Sequence, residues 1–171
     1  KKRQAMTNST VLFYERTVVG KDRSVKHVPS KFRFEYENGS VLVYGGMFDE
    51  EQKEALRSIG QAGALDIAWM EEANSFLEDD YNELLARMRG NAAGWIQIIL
   101  STNPDHPRHW IRQRLILGRE AKTYVAGPLD NPYLPKDYID TLKQMTGVTG
   151  LRLRGGGSSI DFSSALNDEV D

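Results

Sequence analysis

Phe32, Phe34 and Tyr36 alternate with charged residues, and Val41 and Val43 flank Leu42 a few positions later. Alternation of this kind is the signature of half-buried strands. Asn38-Gly39 lies between the two runs, and both residues tolerate positive φ, so the pattern predicts a β-hairpin ended by Gly45-Gly46. Two later runs are different. Leu65 to Met70 is apolar at almost every position apart from Asp66, and Trp95 to Leu100 is interrupted only by Gln97. Continuous apolar runs of this length predict strands covered on both faces, as in a parallel sheet. Helices are expected between and around them. Lys2 to Val19 has the mixed polarity of a helix closed by Gly20, and Lys21 to Ser30 reads as a polar loop. Asp49 offers an N-cap for a helix through Arg57, broken by Gly60 and Gly63. Ser75 with Glu78 forms a capping-box pattern for a helix whose apolar face is Phe76, Tyr81, Leu84, Leu85 and Met88, ended by Gly90. A helix from about His109 stops at Gly118, Thr123 to Ala126 reads as a third strand, and Pro135 opens a helix closed by Gly147.

Strands alternating with helices define an α/β fold with a largely parallel sheet flanked by helices, to which the early hairpin is an antiparallel addition. Composition narrows the class. At 171 residues a single domain is expected, and 22 Lys+Arg against 24 Asp+Glu argue against an overall electrostatic nucleic-acid binder. The basic start, Lys1-Lys2-Arg3, is most simply a solvated face. The absence of cysteine excludes disulfide scaffolds, thiol catalysis and thiolate zinc sites. No apolar run reaches the ~18 residues of a membrane span. The residues beyond Gly155-Gly156-Gly157 end in an acidic stretch and read as a flexible tail or a foreign join.

The chemistry is concentrated where the two apolar runs stop. The first ends in Glu71-Glu72, and the second in Ser101-Thr102-Asn103-Pro104. In open α/β sheets ligands sit beyond the carboxyl ends of the strands. Side chains of consecutive strand residues point to opposite sides, so one carboxylate can face a Mg²⁺ site while its neighbour faces a water. The alternative is that the pair simply begins a solvated helix, whose N-terminal dipole favours acids. Ser101, Thr102 and Asn103 can hydrogen-bond a terminal phosphate or an attacking water, or can make an ordinary Asn-Pro turn. Arg57 can neutralise charge on a transferred phosphoryl group, or can serve as a helix C-terminal cation. His106 and His109 with Asp105 do not have a strong zinc spacing and are expected to make loop contacts. A metal-dependent nuclease using Asp66, Glu71, Glu72 and Asp79, and a non-enzymatic binding module, are the competing readings. No G-x-x-x-x-G-K-[ST] phosphate loop occurs in these residues.

In order, the motifs are Asn8-Ser9 in the first helix, the hairpin Asn38 to Gly46, Ile67-Ala68-Trp69-Met70-Glu71-Glu72-Ala73, Ser101-Thr102-Asn103-Pro104 with His109-Trp110, and Asn131-Pro132-Tyr133-Leu134-Pro135 leading to Tyr138 and Thr146-Gly147. Together they resemble the N-terminal ATPase domain of the large subunit of tailed-bacteriophage terminase, over roughly Lys1 to Arg154. The resemblance implies a P-loop NTPase-like fold, ATP and Mg²⁺ as cofactors, Glu71 in the Walker B metal position and Glu72 as catalytic base. It also implies that Ser101, Thr102 and Asn103 form the coupling motif, and that Arg57 corresponds to an arginine preceding Walker B. Implied partners are double-stranded DNA, the portal protein and the small terminase subunit, in a ring homo-oligomer acting in the host cytoplasm. In the family the Walker A loop precedes the region matched here and a nuclease domain follows it. This chain alone is therefore expected to hydrolyse ATP poorly.

Overall fold

The computed structural model describes residues 6–47, 51, 52, 54, 64–103 and 105–146. The chain divides into two compact units, Lys1–Leu100 and Ser101–Asp171. Among the described residues the first unit opens with three consecutive helical stretches, Thr7–Val11, Leu12–Tyr14 and Glu15–Val19, which form one helix, α1 (7–19). Much of α1 is wound wide: the Gly20 N–H bonds to the carbonyl of Glu15, five residues back, at 2.9 Å. Gly20 follows its last residue, at a position where a Cβ would stand 3.0 Å from the Arg16 carbonyl oxygen.

The hairpin forms as the alternation predicts. β2 (Arg33–Tyr36) and β3 (Val41–Val43) pair antiparallel, with Phe34 opposite Leu42. Gly39 supplies a φ of +85° at the turn, where the Asn38 carboxamide oxygen accepts the Ser40 N–H. The expected loop Lys21 to Ser30 is instead partly a strand. β1 (Val25–Val28) pairs antiparallel with β2, making a three-stranded sheet in the order β1-β2-β3. Its sequence, Val25-Lys26-His27-Val28, is short and half polar, and its partner supplies the order that its own pattern lacks. α1 packs on this sheet. Val11, Val25, Phe34 and Tyr44 make the buried cluster, ringed by Met6, Tyr14, Val19 and Tyr36. His27 stacks on Phe34, and its ring nitrogens reach Glu15 Oε1 at 3.0 Å and the Tyr44 hydroxyl at 2.9 Å.

The two apolar runs become β4 (Ile67–Glu71) and β5 (Gln97–Ser101), neighbours in a parallel sheet. Each strand begins two residues later than the run that predicts it. Coverage on both faces is not observed. Met70 is buried, whereas Ile67, Trp69 and Ile99 are about half exposed. The alternating burial along both strands shows one face packed and the other open.

Between these strands lies α2 (Glu78–Leu85), which buries Tyr81 and Leu84. Ser75 does not cap it. The Ser75 side chain turns back to the Glu72 carbonyl oxygen, and Asp80 closes the helix start by accepting the Leu77 N–H at 3.0 Å. Asp80 is therefore buried rather than part of an exposed acidic face.

In the second unit α3 (Ile111–Leu117) buries Ile111 and Leu115, and α4 (Lys136–Gln144) buries Leu142. Gly118 follows α3 because a Cβ would collide with the Arg114 carbonyl oxygen. Thr123 to Ala126 is not a strand. Tyr124 and Val125 are largely exposed, and among the described residues no strand pairs with the segment, so its β-forming composition alone does not make it a strand. The expected caps and breaks at Asp49, Gly60, Gly63 and Gly147, and the tail from Gly155, lie outside the described residues.

Candidate functional site

β4 carries Glu71 to the carboxyl end of the parallel sheet as its last residue. Glu72 is not a continuation of the strand. Its backbone turns left-handed, at φ 53° and ψ 50°, and begins the short helical turn Ala73–Ser75. The strict two-sided alternation expected of Glu71 and Glu72 therefore stops at Glu71. A left-handed conformation at a non-glycine residue costs about 1–2 kcal/mol. Here it is held by the Ser75 N–H at 2.9 Å and the Ser75 hydroxyl at 2.7 Å, both donating to the Glu72 carbonyl oxygen. Ala73, fully buried, anchors the turn. The result is a half-buried carboxylate, Glu71, beside an exposed one, Glu72.

Glu71 has a partner that the sequence pattern does not reveal. The Thr10 hydroxyl on α1 lies 2.8 Å from Oε1 and 2.8 Å from Oε2. The contact spans 61 residues of sequence. A threonine on a helix of mixed polarity carries no local signal that its hydroxyl reaches a distant carboxylate.

Asp66 precedes β4 at its other end, roughly 16 Å from Glu71 at ordinary strand rise. Its Oδ1 accepts the Ala93 N–H at 3.3 Å, holding the loop before β5. Asp79 is exposed on α2. Among the described residues no three His, Asp or Glu side chains gather to hold a metal, so the four acids of the nuclease reading do not converge. His106 and His109 make the loop contacts expected of them: their Nδ1 atoms accept the N–H groups of Arg108 and Ile111.

Ser101, the last residue of β5, begins the second unit. Ser101, Thr102 and Asn103 are all exposed, and the Thr102 hydroxyl donates to the Asn103 carbonyl at 3.0 Å. Arg57 lies outside the described residues.

Two adjacent acids at the carboxyl end of a parallel strand, in a mixed α/β fold with an antiparallel hairpin, place the chain among α/β proteins with a carboxylate-bearing strand end, where open sheets bind ligands. Within it, residues 14–151 match the family model described as phage terminase large subunit, and the chain belongs to that family. The fold is shared with the large terminase of a thermophilic bacteriophage. One crystal form of that protein superposes with a TM-score of 0.71 at 18% identity, covering 92% of this chain and 39% of that one. The same phage protein in complex with ADP gives 0.68 at 19% identity, over 91% and 38%. Its complex with ATP-gamma-S gives 0.64 at 19% identity, over 92% and 38%. The chain thus spans about two fifths of the length of the large terminase it resembles. No curated protein sequence matches the chain.

Proposed function

We propose that this chain supplies the metal, base and coupling elements of a DNA-packaging ATPase, which couples ATP hydrolysis to movement of double-stranded DNA into a procapsid. The observation that carries the reading is the placement of Glu71 and Glu72 at the end of β4, one carboxylate held and the other presented outward, in a chain of the terminase large-subunit family. The nucleotide complexes of the thermophilic phage protein support ATP as the ligand.

The donor set suits Mg²⁺. Carboxylate oxygens are hard ligands, and Mg²⁺ takes one or two of them together with waters and phosphate oxygens rather than a full protein cage. Glu71 is the residue to hold it, and bound Mg²⁺ would offset charge on the phosphate oxygens. Glu72, turned away from the strand, would accept the proton of the attacking water. Ser101, Thr102 and Asn103, at the sequence boundary between the two units, would sense the terminal phosphate and relay its loss. Arg57 would stabilise charge on the transferred group. The portal protein, the small subunit and a ring of copies are the partners this role requires, and the host cytoplasm is its setting. Among the described residues no helix is long and apolar enough to cross a membrane.

The test is Glu72→Gln in the large subunit. Hydrolysis should fall at least about a hundredfold, the scale of general-base catalysis, while nucleotide affinity is retained. Near-full turnover in that variant removes Glu72 from the role of base.

A further inference from the structure

An oxygen equidistant from both carboxylate oxygens lies on the plane that bisects the pair, and at hydrogen-bonding distance from each it stands in front of them. Thr10 Oγ1 occupies that position, 2.8 Å from Oε1 and 2.8 Å from Oε2 of Glu71. It is also the position that a cation chelated by both oxygens would take. We propose that Thr10 is a positioning and specificity-determining residue, which bars two-oxygen chelation at Glu71 and so biases the site toward Mg²⁺ over larger divalent cations.

This role of Thr10 rests on the reading of Glu71 as the metal-side acid. Ca²⁺ often takes carboxylates through both oxygens in irregular, crowded shells, whereas Mg²⁺ takes single oxygens and keeps its waters. A hydroxyl on the bisector closes the first mode and leaves the second. The helix that carries the hydroxyl is held from behind. Its neighbour Val11 is buried in the cluster with Val25, Phe34 and Tyr44, and Tyr14, one turn further along α1, hydrogen-bonds Tyr36 through their hydroxyls. The helix is thus tied to the antiparallel sheet on the side adjoining Thr10. Packing holds the backbone that carries Thr10, and its hydroxyl leaves Glu71 only by rotation about χ1, which β-branching restricts in a helix.

The experiment measures divalent-cation binding directly in the natural large subunit. Bound Mn²⁺ is followed by electron paramagnetic resonance in the presence of ADP and is displaced by Mg²⁺ or by Ca²⁺. Thr10→Val and Thr10→Ala should each shift the competition toward Ca²⁺ by about fivefold or more, and Thr10→Ser should behave as the unaltered protein. Circular dichroism identifies which variants are folded, and the alanine variant serves if the valine variant is not. An unchanged Ca²⁺-to-Mg²⁺ ratio in a folded hydroxyl-free variant overturns the proposal. Glu71→Gln separates the two levels. If it abolishes Mn²⁺ binding while the Thr10 variants change nothing, only the role of Thr10 fails. If it leaves Mn²⁺ binding intact, the reading of Glu71 fails and the proposal with it.

Discussion

Glu72 combines an unfavourable backbone with a useful place. Its left-handed conformation serves no packing purpose of its own side chain, which is exposed, yet the turn is held by Ser75 and the buried Ala73. Strain of this sort persists where the surroundings over-determine it, and it is a frequent companion of function. Glycine adopts the same conformation without penalty. Glu72→Gly should therefore leave the fold as stable as before or raise its stability by about 1 kcal/mol, while the hydrolysis proposed to depend on Glu72 is lost. Paired chemical denaturation and turnover measurements check this, and a clear loss of stability would show that the glutamate side chain holds the turn. The acids themselves are legible in the sequence, because an apolar run that stops at two carboxylates marks a strand end. Their unequal surroundings are not. The left-handed turn at Glu72 and the hydroxyl of Thr10 at Glu71 both arise from tertiary contacts, which no local pattern encodes.

The elements form for reasons of different range. β2 and β3 are predictable because a short Asn-Gly turn sets their register locally. β1 escapes prediction because its pairing with β2 is made across the intervening helical turn Pro29–Lys31, and because only Val25 of its four residues is buried. Thr123 to Ala126 shows the converse, strand-like residues with which no strand among the described residues pairs. The sheet and α1 share Phe34, which is 1% exposed. Phe34→Ala should cost about 3–5 kcal/mol, read as a lowered denaturation midpoint. Tyr36 adds a pH dependence at the same seam. Burial, and then the hydrogen bond with Tyr14, push its hydroxyl up to about 12. In the unfolded chain the group titrates near ~10. The folded state therefore favours the protonated form, and this stabilisation is complete below pH ~10 and is lost as pH rises toward ~12. Thermal melts across that window should show a falling midpoint, and Tyr36→Phe should flatten the fall. Tyr44 moves in the same direction, mainly through burial and then through Glu15, so a residual slope should remain in the variant.

At the scale of the whole chain, the boundary between the two units falls between Leu100 and Ser101, the last two residues of β5. The residues proposed to couple hydrolysis to movement thus stand where one compact unit gives way to the next in sequence. The first unit also carries exposed apolar side chains: Ile67, Trp69, Trp95, Ile96 and Ile99 are all 44–53% exposed. Exposed apolar surface on an isolated protein promotes association. This chain, prepared by itself, should scatter more light per molecule as its concentration rises, and replacing Ile67 and Trp69 by polar residues should reduce the effect. A monodisperse solution at all concentrations would show that this face is covered by the chain itself. Trp69 has one more consequence. Its indole is half in water only two residues before Glu71 on the same strand. With Trp95 and Trp110 replaced by phenylalanine, its emission colour becomes an intrinsic optical gauge, red while solvent reaches the strand and blue when something closes over it, placed by the fold beside the carboxylate proposed to hold the metal.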